Sequence, residues 1–190
     1  MSLRPPVIFY CDLDGVLTDF EDHLLKSFET FFGSDSVWGQ LAPGQTVRDL
    51  QSRLGEKWYL MTASLPESFW SEMPWMVDGK ELWRFIKAYP HIILTSPARG
   101  SRSRLGKQKW ITTQLGSEVE SIIQPHKHRY VHQNLGVPMS LRVHDLKKVL
   151  IDDLPNNIEN WKAQGGIGIL HRSTEETIHN LRNLFPWLVS

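Results

Sequence analysis

The chain has 190 residues, of which 41% are hydrophobic and 22% charged, a balance that suits a packed globular protein and excludes a disordered or collagen-like one. Lys and Arg number 21 and so do Asp and Glu, which leaves no net charge for a generic electrostatic grip on nucleic acid or a membrane surface. The single cysteine, Cys11, excludes an intramolecular disulfide framework and a cysteine-based zinc cluster; with no apolar run near the ~20 residues of a membrane span, and no signal-peptide core beside Pro5 and Pro6, a cytoplasmic protein is expected.

Five short apolar runs are bounded by turn or charged residues and are too short for helices: Val7 to Cys11, Ile92 to Leu94, Val119 to Ile123, Val149 to Ile151 and Ile167 to Leu170. Such runs predict strands buried on both faces. After the first, roughly residues 20 to 78 are too long for a simple connection and mix charges with Phe28, Phe31, Phe32, Trp38, Trp58, Tyr59, Phe69, Trp70 and Trp75. A small helical insertion with its own aromatic cluster is expected there. Leu82, Phe85, Ile86 and Tyr89 then follow the helical period, as do Ile178, Leu181 and Phe185. Pro155 suits the first turn of a helix over 156–164 that Gly165 and Gly166 stop, and Ser173 with Glu176 forms a capping-box pattern opening the last helix. Strands alternating with helices predict a three-layer Rossmann-like α/β core with a parallel sheet, residues 1–19 and 79–190, and a helical cap over 20–78.

The first strand runs into Asp12-Leu13-Asp14-Gly15-Val16-Leu17-Thr18-Asp19, and another run, Val149 to Ile151, ends in Asp152-Asp153. Ligand sites of open parallel sheets lie at the carboxyl ends of strands, so two strands aim acids at one edge. Two unit charges ~4 Å apart repel by about 4 kcal/mol at an effective dielectric of 20, so a cation is expected among them. Oxygen ligands without Cys or an obligatory His favour Mg²⁺.

These residues resemble the motifs of the haloacid dehalogenase superfamily of phosphatases. Asp12 to Asp19 looks like the first motif, Leu94-Thr95-Ser96-Pro97 the second, a downstream lysine the third, and Leu150-Ile151-Asp152-Asp153 the fourth. With Gly106, Lys107 and Trp110, the set is most similar to the 5′(3′)-deoxyribonucleotidases. The resemblance implies that Asp12 is the nucleophile forming an aspartyl-phosphate, a role for which a carboxylate of ordinary pKa ~3.9 requires no activating base. It implies that Asp14 protonates the leaving oxygen and then activates water, its backbone carbonyl also binding the metal. Mg²⁺ would be held by Asp12, Asp14, Asp152 and Asp153, with Asp153 the preferred direct ligand of the last pair. Thr95 and Ser96 would bind phosphate. By the family pattern Lys127 is the third-motif lysine and Lys107 an additional phosphate contact, with Lys147 and Lys148 as rivals because about 25 residues separate Lys127 from Asp152. Phe20 would touch a nucleobase, with Phe69, Trp70 and Trp75 completing a stacking surface.

His126, His128 and His132 match no tight metal-ligand spacing and read as a solvated loop, while Arg99, Arg102, Arg104, Lys107 and Lys109 read either as an exposed helix start or as a guide for polyphosphate or oligonucleotide. The expected function is Mg²⁺-dependent hydrolysis of a phosphate monoester, a nucleoside monophosphate above all, by a protein that neither binds membranes nor holds nucleic acid stably. The alternatives are a polynucleotide-end or sugar phosphatase of the same superfamily, and a regulatory module that binds phosphate and Mg²⁺ without turnover.

Overall fold

The computed structural model describes residues 5–33 and 44–188, so Trp38 of the expected aromatic cluster lies outside the described residues. The chain divides into two compact units, one of Met1–Thr18, Trp75–Ser96 and Glu118–Ser190, the other of Asp19–Pro74 and Pro97–Ser117.

The first unit holds five parallel strands: β1 (Val7–Cys11), β2 (His91–Thr95), β3 (Ser121–Ile123), β4 (Lys147–Asp152) and β5 (Ile167–Leu170), in the order β3-β2-β1-β4-β5. The third strand is shorter than its apolar run, because Val119 is only half-buried and Glu120 is exposed. Every residue of β1 is buried, as a central parallel strand covered on both faces requires. On one face Ile8 and Tyr10 join Ile92, Leu94, Leu150, Ile158 and Trp161, with the Trp161 ring 5.1 Å from that of Tyr10. On the other, Phe9 meets Tyr89 edge-on at 5.8 Å. The alternation follows from the two-residue period of a strand.

The flanking helices are α5 (Gly79–Ile86), α7 (Pro155–Ala163) and α8 (Thr174–Leu184). Pro155 opens α7 where its missing N–H costs nothing, and the Ser173 hydroxyl accepts the Glu176 N–H at the start of α8. α7 packs on β4 and β5, and α5 packs with α8. The fold is a parallel α/β, Rossmann-like sheet with helices.

The second unit is helical: α1 (Phe20–Phe32), α2 (Val47–Leu54), α3 (Lys57–Ser64), α4 (Glu67–Ser71) and α6 (Arg102–Gln114). Thr46 and Asp49 form a complete capping box for α2. Whereas the sequence pattern assigns the basic run to the α/β core, α6 groups with the inserted helices. Its buried stripe of Ser103, Gly106, Lys107, Trp110 and Ile111 has helical spacing but hides among polar residues. A Cβ on Gly106 would lie 2.5 Å from the Glu67 carbonyl and from the Trp70 Cβ, so glycine is what lets α6 lie against α4. The Trp110 indole N–H donates to the Met73 carbonyl at 2.7 Å.

Candidate active site at the carboxyl edge of the sheet

The parallel register sets the site. Cys11 on β1 is level with Ile93 on β2 and Ile151 on β4, so Asp12 and Asp152, each one residue further, leave the sheet at the same height. The Asp12 N–H donates to the Ile151 carbonyl at 2.9 Å, which ties the end of β1 to β4. Asp12, Asp152 and Asp153 bring one carboxylate oxygen each within 4.8 Å of one another.

Beyond Asp12 the chain makes a tight loop over buried Leu13, Val16 and Leu17. The Leu13 carbonyl accepts the N–H groups of Leu17 and Thr18, both at 2.8 Å, and the Thr18 hydroxyl at 3.1 Å. Gly15 sits at φ 73°, where a side chain would be strained, and a Cβ there would lie 2.7 Å from Asp153 Oδ2. The loop and the second acidic pair therefore fit together only through glycine. Asp14, beside it, receives the Thr18 hydroxyl at 3.4 Å.

Lys127 projects from a 3₁₀ turn over Lys127–Val131. Its ammonium bridges Asp12 Oδ2 at 2.7 Å and Asp152 Oδ2 at 2.6 Å, and all three residues are buried. Asp12 Oδ1 accepts the Leu13 N–H at 2.7 Å, so both of its oxygens are oriented. Asp152 is held still more closely: Leu154 N–H donates to Oδ1 at 3.0 Å, and the Asn157 amide donates to Oδ1 at 2.9 Å and Oδ2 at 3.1 Å. Asn157 went unnoticed in the sequence; the signal that points to it is its place in the first turn of the helix that Pro155 opens, where side chains reach back to the preceding strand end.

One ammonium faces three carboxylates, and the balance appears in the proton affinities. Burial pulls the Lys127 ammonium down, but Asp12 and Asp152 outweigh it and hold it above lysine's ordinary value. Burial, then Asp12 and Asp152, against the pull of Lys127, push the Asp153 carboxyl up to about 7. Asp152 is raised by burial and by Asp12. The Cys11 thiol, sealed in β1 and donating to the Asp12 carbonyl at 3.3 Å, is raised by burial first and Asp12 second. Three hard oxygen donors carrying two charges more than their lysine partner fit a divalent cation such as Mg²⁺.

Thr95 and Ser96 leave the carboxyl end of β2, Thr95 buried and Ser96 half-buried. The Thr95 carbonyl accepts the Gln124 N–H at 2.9 Å. Lys147 and Lys148 stand at the opposite end of β4, level with Val7 and Ile8; Lys147 is exposed and Lys148 buried. The remaining candidates belong to the helical unit. There Phe20 stacks on Trp70 at 5.6 Å, Phe69 meets Trp70 edge-on at 5.1 Å, and the Lys107 ammonium lies 5.4 Å from the centre of the Trp70 ring. Phe69, Trp70 and Lys107 are buried and Phe20 is half-buried. Arg99 stacks on Tyr59 at 4.8 Å and Arg102 donates to the Ser64 carbonyl at 3.2 Å, so two members of the basic run have partners inside that unit. No described helix is long and apolar enough to cross a membrane.

No family model and no curated protein matches the chain. Among solved structures it is similar to a hydrolase from Streptococcus pneumoniae TIGR4, with 17% identity over 97% of this chain and 100% of that one and a TM-score of 0.52. A HAD family hydrolase from Deinococcus radiodurans R1 with bound phosphate and sodium aligns at 18% identity over 86% of this chain and 79% of that one, TM-score 0.49. The L-2-haloacid dehalogenase from Xanthobacter autotrophicus aligns at 12% identity over 99% and 85%, TM-score 0.44. The first likeness establishes a shared fold.

Proposed function

We propose that this chain is a phosphomonoester hydrolase of the haloacid dehalogenase type, acting through an aspartyl-phosphate on a small phosphorylated substrate, with nucleoside monophosphates as the preferred class. The observation that carries this reading is the buried chain Asp12–Lys127–Asp152 at the carboxyl edge of the sheet, with Asp153 alongside. Asp12 is fixed by Leu13 and Lys127 with its carboxylate oriented, the requirement for in-line attack on phosphorus.

In this reading an Asp12 oxygen forms the bond to phosphorus as the bond to the leaving oxygen breaks, and Asp14 delivers a proton to that oxygen. Asp14 then takes a proton from a water that attacks phosphorus, releasing inorganic phosphate and regenerating the Asp12 carboxylate. Lys127 supplies positive charge beside Asp12 as the phosphate approaches, and a charge pair ~4 Å apart is worth about 4 kcal/mol at an effective dielectric of 20. Thr95 and Ser96, at the end of the neighbouring strand, are assigned to the phosphate oxygens. Asp12, Asp153 and the Asp14 carbonyl would hold Mg²⁺, and Asp152, whose oxygens are engaged by Lys127, Leu154 and Asn157, orients the lysine. When bound, the ion offsets the repulsion between carboxylate and phosphate.

The test is turnover of dUMP, sugar phosphates and a 3′-phosphorylated oligonucleotide by wild type and Asp12→Asn. Loss of activity in a folded Asp12→Asn variant, with EDTA inhibition reversed by Mg²⁺, is expected. Wild-type turnover that survives Asp12→Asn overturns the nucleophile, and preference for the oligonucleotide overturns the substrate class.

A further inference from the structure

Lys127 reaches the two aspartates from a 3₁₀ turn that a left-handed residue opens. The residue before it, His126, has φ 61°, and it is the only described residue other than glycine with a positive φ. A side-chain-bearing residue in that region is strained and persists only where the surroundings over-determine it. Upstream, the segment is pinned by the Gln124 N–H on the Thr95 carbonyl. Downstream, the 3₁₀ turn ends at Val131.

Lys148 gathers one carbonyl of the turn and two acceptors just beyond it. Its side chain is buried, and its ammonium donates to the Tyr130 carbonyl at 3.2 Å, to the Gln133 carbonyl and to the Asn134 Oδ1 at 3.2 Å. Three donors thus meet three neutral acceptors on one loop. The backbone of Lys148 is fixed in turn: it lies in β4 level with Ile8, and its carbonyl accepts the Trp161 indole N–H at 3.3 Å. The same strand that delivers Asp152 at its carboxyl end therefore anchors, four residues earlier, the loop that delivers Lys127.

We propose that Lys148 is a positioning residue for Lys127. By tying residues 130–134 to β4, it closes the segment from the far side and holds the Lys127 ammonium between Asp12 and Asp152. This role rests on the reading of that site as a phosphatase centre only for its effect on turnover; the placement of Lys127 is independent of it.

Lys148→Met keeps the length of the side chain and removes the donors. Two readouts separate positioning from general destabilisation. The first is the rate at which acetic anhydride labels each lysine of the folded protein, read by mass spectrometry. Lys127 and Lys107 are both buried, and Lys107 lies in the other unit. In Lys148→Met, labelling of Lys127 is expected to rise about tenfold or more while Lys107 stays protected, since removing a charged buried donor strands its acceptors. No change at Lys127, or unmasking of both lysines together, overturns the proposal. The second is kcat on the best phosphate monoester in a double-mutant cycle. Lys148→Met is expected to lower kcat by roughly 10- to 100-fold in wild type and hardly at all in Lys127→Met, because displacing a reacting group by about 1 Å has costs of that order. Equal losses in both backgrounds overturn it. A wild-type protein without turnover on any phosphate monoester would overturn the phosphatase reading and leave the labelling result to decide the role of Lys148. Should Lys148→Met fail to fold, Asn134→Ala decides by the same labelling, with a smaller selective rise at Lys127 expected and none overturning the proposal.

Discussion

Replacing Asp153 by Asn is expected to make the metal-free protein more stable at neutral pH, although it removes a residue of the proposed centre. The carboxyl of Asp153 is pushed up to about 7 by burial, Asp12 and Asp152. In the unfolded chain an aspartate titrates near ~3.9. Between those values the folded protein holds a proton that the unfolded chain has released, so unfolding releases protons and stability falls as pH rises through the window. About three pKa units at 1.36 kcal/mol each come to roughly 4 kcal/mol when the window has been crossed. Asp153 is half-buried, so solvent screening leaves part of this, and a gap of about 2 kcal/mol is expected. The assay is urea unfolding in EDTA at about pH 5, 6.5 and 8. Wild type should lose stability relative to Asp153→Asn across the series, with the two nearest at the acid end, and Mg²⁺ should stabilise wild type more than the variant near pH 8. A variant less stable than wild type at about pH 8, or a gap that does not change with pH, would refute the claim that crowded negative charge dominates this corner of the site.

Two other substitutions probe neighbouring parts of the argument. Gly15→Ala puts a Cβ at φ 73° and 2.7 Å from Asp153 Oδ2, so it should cost about 1–3 kcal/mol in urea unfolding and weaken Mg²⁺ stabilisation; wild-type values for both would show that the loop yields. Tyr10 buries its hydroxyl in the core, where it makes no hydrogen bond among the described residues, so Tyr10→Phe should raise stability by about 1 kcal/mol, and a loss would show that the hydroxyl is bonded.

The parallel sheet was legible in the sequence because strands covered on both faces are continuous apolar runs, and Val7–Cys11 and Ile167–Leu170 match their runs residue for residue. The last two helices, α7 and α8, were legible as well, since Pro155 and Ser173 mark their starts by local chemistry. α6 was obscure. A helix normally shows its buried stripe as apolar residues, but here Ser103, Gly106 and Lys107 make up most of it, so nothing in the pattern separates it from a solvated basic run. Asn157 carries no signal of its own among the polar residues that open α7.

The sequence by itself determined that two strands end in acids and that they belong to one sheet, because hydrophobic period and turn residues are local properties of the chain. Only the tertiary structure decided which lysine meets those acids. Lys127 lies 25 residues from Asp152 along the chain and 2.6 Å from it in space, whereas Lys148 is four residues away in sequence and, at about 3.3 Å per residue of extended strand, roughly 13 Å down β4. Charge pairing depends on where a loop returns to the sheet, and that is set by packing across the whole α/β unit, not by the residues on either side of the lysine.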